Sequence, residues 1–118
     1  TVVNISSNSG HRVLSPVNGV YAASKAAVVM LSDAMRKELR PDGRVMDIAP
    51  GYVRDTEIHA GYTDPEHRRE ADERQQSSGM ELDHFADLVV GLIAQPGDVA
   101  VQSLLVTKTG YEPQPYRS

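Results

Sequence analysis

The sequence predicts an α/β protein built on a parallel sheet of three strands with flanking helices. Three observations carry that prediction. Short runs rich in β-branched residues alternate with long stretches free of glycine and proline. Gly and Pro pairs punctuate the junctions between them. The resulting order is strand, helix, strand, helix, helix, strand, and such alternation requires right-handed crossovers with helices over the faces of the sheet.

The first element, residues 1–5, reads Thr-Val-Val-Asn-Ile and ends in the polar loop Ser6-Ser7-Asn8-Ser9-Gly10, as a buried strand does. After the turn formers Pro16 and Asn18-Gly19, residues 20–39 form a helix of about five turns. Val28, Leu31, Met35 and Leu39 mark its expected apolar stripe. Arg36, Lys37 and Arg40 complement the negative end of its dipole. Pro41-Asp42-Gly43 stops the helix, and residues 44–49 read as a second strand broken at Pro50-Gly51.

Residues 52–62 form an irregular connection. Thr63-Asp64-Pro65-Glu66 then places a side-chain cap before a proline at the first helical position. The helix it starts, residues 66–76, has Ala71 as its only apolar residue and is expected to be exposed and mobile. Ser78-Gly79-Met80-Glu81 resembles a capping box ahead of a core-facing helix bearing Leu82, Phe85, Ala86, Val89 and Ile93. Residues 99–107 complete the sheet, and a loosely ordered tail with Pro113 and Pro115 follows.

Composition narrows the function. A length of 118 residues holds one domain at most. Twelve Lys and Arg against 16 Asp and Glu give a net charge of −4, which offers no electrostatic ground for binding nucleic acid or an anionic membrane. The longest purely apolar run, residues 26–31, is far too short to span a bilayer. The absence of cysteine removes disulfide and thiolate chemistry and suits a cytoplasmic enzyme. The chain opens Thr1-Val2-Val3, without initiator methionine or signal pattern, as expected of a piece of a longer protein.

In a parallel sheet, ligands bind beyond the carboxyl ends of the strands, which directs attention to residues 6–10, 50–56 and the stretch after Thr107. Tyr21 and Lys25 are four residues apart at the start of the first long helix, so both side chains leave one face a turn apart. An ammonium close to a phenol favours the phenolate, which makes Tyr21 a candidate general acid/base. Ser7 lies at the mouth of the preceding strand, where its hydroxyl can hold a substrate oxygen. Pro50-Gly51 turns the backbone sharply and offers main-chain groups to a flat polar ring.

The order of these features is more specific than any one of them. Asn4-Ile5-Ser6-Ser7, Gly10, Tyr21-Ala22-Ala23-Ser24-Lys25-Ala26-Ala27-Val28, Arg36-Lys37-Glu38-Leu39, Arg44-Val45 and Pro50-Gly51-Tyr52-Val53 follow one another along the chain. Together they resemble the carboxyl-terminal half of the classical short-chain dehydrogenase/reductase family, from residue 1 to about residue 107. The resemblance implies a Rossmann-type doubly wound sheet, with residues 1–109 as its carboxyl-terminal half, a lid at 61–79 and a tail at 110–118.

It further implies that Ser7 orients substrate, that Tyr21 is the acid/base, and that Lys25 assists the tyrosine and holds the nicotinamide ribose. Pro50, Gly51 and Val53 match the loop that meets the nicotinamide carboxamide. Thr56 matches a threonine that closes over the cofactor, one residue later than in the family pattern because Arg54-Asp55 intervenes. The implied function is an NAD(P)-dependent oxidoreductase that moves a hydride between the nicotinamide and a small-molecule alcohol or carbonyl. NADP is favoured over NAD by the similarity of residues 95–106 to serine 3-dehydrogenase-like and clavaldehyde-reductase-like enzymes. The family's glycine-rich fingerprint, its NAD- or NADP-selecting residue and its catalytic asparagine belong to an amino-terminal half, and no Gly-x-x-x-Gly-x-Gly occurs in these 118 residues. In the resembling fold strand 1–5 is internal. Its outer edge is therefore expected to be open, and the chain to self-associate as a homo-oligomer or to pair with that missing half. A non-catalytic remnant that keeps only the fold and a dimerisation surface is the alternative.

The remaining features carry bland expectations. His11, His59, His67 and His84 lack metal-ligand spacing and read as surface or loop residues, with His11 closest in sequence to Ser7. The mixed charges of residues 66–74 read as a solvated face or as part of the lid. Met80, Phe85 and Val89 read as core, and Tyr111 and Tyr116 as tail residues within reach of a partner subunit.

Overall fold

The computed structural model describes residues 1–111 of the 118. Its elements, in chain order, are β1 (Val2–Ile5), α1 (Gly19–Glu38), β2 (Val45–Pro50), α2 (Pro65–Ser78), α3 (Leu82–Ile93) and β3 (Ser103–Val106), with short 3-10 turns at Asn8–Gly10 and Pro16–Asn18. The three strands form one parallel sheet in the order β1-β2-β3, as the alternation predicts.

The central strand is the core of the sheet. Val45, Met46, Asp47, Ile48 and Ala49 are all buried, because β2 hydrogen-bonds to a neighbour on each side. Val45 pairs with Val2 and Ile48 with Ile5 on one side, while Ile48 pairs with Leu104 on the other. The β1 ladder runs on past the strand, where the Ser6 amide donates to the Ile48 carbonyl at 2.9 Å. β1 therefore delivers the Ser6-Ser7 pair to the same end of the sheet at which β2 delivers Pro50-Gly51.

The inward face of α1 differs from the predicted stripe. Leu31 is 57% exposed and Leu39 is also exposed, whereas Ala22 and Ser32 are buried. A polar contact sets this rotation: the Asn4 amide of β1 donates to the Ser32 hydroxyl at 2.9 Å, and that hydroxyl donates to the Val28 carbonyl at 2.8 Å. Ser32 is buried because both of its hydrogen-bonding roles are filled. Arg36 binds the Val45 and Gln102 carbonyls, which ties the end of α1 to the starts of two strands.

The remaining helices meet expectation unevenly. Asp64 caps α2 as predicted, accepting from the Glu66 and His67 amides. The expected capping box of α3 does not form. Ser78 is the last residue of α2, Glu81 makes no side-chain cap, and its carboxylate pairs instead with Arg54. Among the described residues α3 buries none of its side chains; Phe85 and Val89 are half-covered, while Leu82, Ala86 and Ile93 are exposed. Its carboxyl end is nevertheless held, because the Arg44 guanidinium donates to the Ile93, Gln95, Pro96 and Val99 carbonyls. The predicted tail begins within the described residues at Gly110-Tyr111, and Pro113, Pro115 and Tyr116 lie outside them.

The capping geometry yields a pH prediction. The His67 and Glu66 amides, in that order of effect, hold the Asp64 carboxyl below the usual value of 3.8. A depressed carboxylate stabilises the folded form above its unfolded value and loses that contribution as pH falls through the folded value. Hydrogen-exchange protection of the Glu66 and His67 amides should thus hold from neutral pH down to about 3.8 and decay below it. Asp64→Ala should abolish the protection at every pH.

Candidate active site

Four segments meet at the carboxyl end of the sheet: the loop after β1, the first turns of α1, the Pro50-Gly51 turn after β2, and Thr107 after β3. The loop after β1 is organised by Ser7. Its backbone is extended, and its hydroxyl accepts the Ser9 amide at 3.1 Å, capping the turn Asn8–Gly10. The same hydroxyl approaches Asn8 Oδ1 at 3.4 Å. Ser7 is buried, so these bonds fix its Oγ in one place.

Gly10 fixes that loop against α1. A Cβ at this position would fall 2.8 Å from the Lys25 carbonyl carbon and 2.9 Å from its oxygen, inside contact distance of helix backbone. Only glycine permits the approach. The turn capped by Ser7 consequently lies directly on the helical turn that carries Tyr21 and Lys25.

Lys25 spans the junction. Its ammonium donates to the Ile5 carbonyl at 3.4 Å and stands 5.8 Å from the centroid of the Tyr21 ring. Tyr21 is 37% exposed, and its hydroxyl has no hydrogen-bond partner among the described residues. The Tyr21 carbonyl accepts the Ser24 hydroxyl at 2.7 Å.

The second wall is the Pro50-Gly51 turn. The Gly51 amide donates to the Val106 carbonyl at 2.8 Å, and a Cβ there would lie 3.1 Å from Thr107 Cγ2 and 3.4 Å from Asn8 Nδ2. The loops following all three strands touch at this one glycine. Beyond it, the chain is clamped by a parallel bridge between Val53 and Met80, with Arg54 N–H to Met80 O and Met80 N–H to Tyr52 O both at 2.9 Å. Asp55 takes φ +58°, a left-handed conformation that aspartate tolerates better than most residues.

Three polar residues that organise this end of the fold are not apparent from the sequence. Gln75 is 2% exposed, and its side-chain amide donates to the Val53 carbonyl at 2.7 Å and to both the hydroxyl and the carbonyl of Thr56. Asp47 is buried at the centre of β2, where its Oδ2 receives Ser103 Oγ at 3.2 Å and faces His11 Nε2 at 3.5 Å. His59, expected from sequence to be a surface or loop residue, lies in the loop before α2 but is buried. Its Nδ1 pairs with Asp72 at 3.0 Å and its ring packs against Tyr62. The visible signal for Asp47 is a carboxylate inside the apolar run Val-Met-Asp-Ile-Ala. Gln75 and His59 give no signal, because their burial depends on α2 folding back over residues 53–62.

The helix expected to have almost nothing to bury is mostly exposed, and it meets the rest of the fold through polar contacts. Gln75 and Asp72 face inward, and Lys108 donates to the Ser77 carbonyl at 3.0 Å. The outward side carries the ion pairs of Arg69 with Glu66 and Glu73, the solvated face that the charge pattern predicts. After β3, Tyr111 meets Tyr52 edge-on at 6.2 Å; burial chiefly, with Tyr52 beside it, pushes the Tyr111 phenol above its ordinary value. No group of three or more potential metal ligands occurs among the described residues. No helix among them is long and apolar enough to cross a membrane.

A strand-end serine, a Tyr-x-x-x-Lys turn and a Pro-Gly loop lie at one end of one parallel sheet, and comparison with known proteins gives the family. The short chain dehydrogenase family matches residues 1–67, more than half of the chain, and the chain belongs to that family. It is 30% identical over 112 residues to human dehydrogenase/reductase SDR family member 11, covering 92% of this chain and 43% of that protein. It is 34% identical over 113 residues to farnesol dehydrogenase of Aedes aegypti, covering 92% and 42% respectively. The chain thus spans about two-fifths of the length of these relatives. Among solved structures, a closed serine dehydrogenase complexed with NADP+ superposes with a TM-score of 0.80 at 23% identity, covering 98% of this chain and 47% of that one. An alcohol dehydrogenase from the archaeon Thermococcus sibiricus, complexed with 5-hydroxy-NADP, gives 0.72 at 25% identity over 95% and 43%.

The contact at Gly10 gives a direct test of how the site is assembled. Gly10→Ala forces a methyl group into α1 backbone and should destabilise the protein by about 1–3 kcal/mol in urea unfolding, the usual cost of overpacking. Gly19→Ala serves as control, because no atom lies within 4 Å of the place its Cβ would take, and it should leave stability within about 0.5 kcal/mol.

Proposed function

We propose that the protein carrying this chain is an NAD(P)-dependent oxidoreductase acting on a small alcohol or carbonyl compound, with Tyr21 as its acid/base. The observation that carries the reading is the packing of the Ser7 turn onto the Tyr21–Lys25 turn through Gly10. It supports a shared cleft for one buried hydroxyl, one free phenol and one ammonium. The donor set fits a nicotinamide nucleotide. The Tyr21 hydroxyl and the Lys25 ammonium suit a ribose diol, and the Pro50, Gly51, Val53 and Thr56 loop suits a carboxamide with its backbone and hydroxyl groups. NADP is the preferred form, supported by the nucleotides held in the two structural neighbours.

When bound, the dinucleotide would supply the hydride acceptor or donor. The chain itself handles the oxygen and its proton. Ser7 holds the substrate oxygen, since among the described residues its hydroxyl proton has only Asn8 Oδ1, at 3.4 Å, as a competing acceptor. Tyr21 removes the hydroxyl proton during oxidation or donates it during reduction. Lys25 places positive charge beside the phenol and, through the Ile5 carbonyl, keeps the pair in register with β1. Residues 61–79 act as a lid whose contacts with the loop are hydrogen bonds rather than apolar packing, which suits reversible opening.

Association with a second copy, or with an amino-terminal half that borders β1, completes the proposal. Val17, Val20, Met30 and Leu31 are each exposed along α1 and its approach, and the outer edge of β1 pairs with no described strand.

Tyr21→Phe tests the central role, since it removes one hydroxyl that holds nothing else in place. Turnover with NADPH or NADP+ should fall by about 10²–10⁴-fold while the melting temperature stays near that of the parent. Activity within threefold of the parent would overturn the assignment of Tyr21 as the acid/base.

A further inference from the structure

We propose that Gln75, on the lid helix, is a positioning residue that aims the Thr56 hydroxyl at the nicotinamide end of the cofactor, and this rests on the function proposed above. Gln75 belongs to α2 and Thr56 to the loop after β2, 19 residues earlier. Both Val53 O and Thr56 O can only accept, so the Gln75 atom facing them is its NH₂ group, which also reaches Thr56 Oγ1.

The consequence for Thr56 follows from hydroxyl chemistry. A hydroxyl has one proton to give and two lone pairs to receive with. Once Oγ1 receives from Gln75, its proton remains to be given. The acceptor within the fold is Val53 O at 3.4 Å, a long contact onto a carbonyl that Gln75 already occupies at 2.7 Å. Thr56 is exposed, so an acceptor from outside, such as a carboxamide or phosphate oxygen, competes well for that proton.

Gln75 also holds the backbone on which Thr56 rides. Asp55 sits in the left-handed region, and the neighbouring Gln76 donates to Asp55 Oδ1 at 3.3 Å. The last turn of α2 is itself anchored, through Lys108 to Ser77 O and through Gly79, where a Cβ would fall 3.0 Å from the Arg54 amide nitrogen. Gln75 thus links the lid to the cofactor loop by hydrogen bonds alone, and displacement of α2 releases Thr56.

The test is a set of binding titrations on the protein carrying this chain, with NADPH, NADH and ADP-ribose as probes. Gln75→Met keeps length and removes the donor. It should weaken NADPH or NADH binding by about fivefold to tenfold, the scale of one or two lost hydrogen bonds. ADP-ribose, which lacks the nicotinamide, should bind as tightly as to the parent, whereas damage to the whole fold would weaken all three probes. Thr56→Val should match the loss, Thr56→Ser should restore parent affinity, and Gln75→Met with Thr56→Val should be no weaker than the worse single variant. Thr56 is exposed, so its pair of variants decides the matter even where Gln75→Met fails to fold. Dinucleotide affinity within twofold of the parent in Gln75→Met or Thr56→Val, or losses that multiply in the double variant, overturns the inference alone. A parent that binds neither dinucleotide overturns the proposed function and this inference with it.

Discussion

The buried central strand is the constraint on which the rest depends. β2 has neighbours on both sides, and its side chains from Val45 to Ala49 are removed from solvent. Burial on this scale fixes register, because a one-residue slip would carry the buried Asp47 carboxylate away from Ser103 and His11 to the opposite face. With register fixed, Ile5 lies opposite Ile48 and Pro50 opposite Val106, so the loops after all three strands leave at one level. A site at the carboxyl end of the sheet follows from that geometry before any catalytic residue is considered.

Close backbone approach then turns a level edge into a cleft. Gly10 allows the Ser7 turn to touch α1, and Gly51 allows the turn after β2 to lie between Asn8 and Thr107. Neither glycine is required for a positive φ; both are required for space. The outer layer is held differently. Arg36 and Arg44 bind carbonyls at the ends of helices and strands, and α2 is joined to residues 53–62 through Gln75, His59–Asp72 and Arg54. The sheet is thus held by backbone ladders and buried side chains, while the layer beside the site is tied down by polar contacts.

How far the sequence discloses this depends on which physics decides each feature. Local signals are readable: the β-branched run ending at Ser6-Ser7, the unbroken α1 segment, and the Asp64-Pro65 start of α2 all appear where expected. The Tyr21–Lys25 turn and the Pro50-Gly51 turn are legible from spacing and from family resemblance, and the fold brings the elements that bear them together. Features decided by long-range partners are not legible. The inward face of α1 is set by Asn4 reaching Ser32 across 28 positions, which no helical periodicity encodes. The missing cap of α3 has a similar cause, since Glu81 is taken by Arg54 and Ser78 by the end of α2. Gln75 looks like one more polar residue on a solvated helix, and only its partners on the preceding loop reveal that it is buried.

Hydrogen–deuterium exchange of the protein carrying this chain, with and without NADPH, tests most directly whether these loops hold the nicotinamide. Protection on adding NADPH should appear in three stretches, residues 6–10, 21–25 and 51–56, with residues 82–93 of α3 unchanged. Binding of NADPH that leaves those three stretches unprotected would contradict the assignment of this end of the sheet as the nicotinamide site.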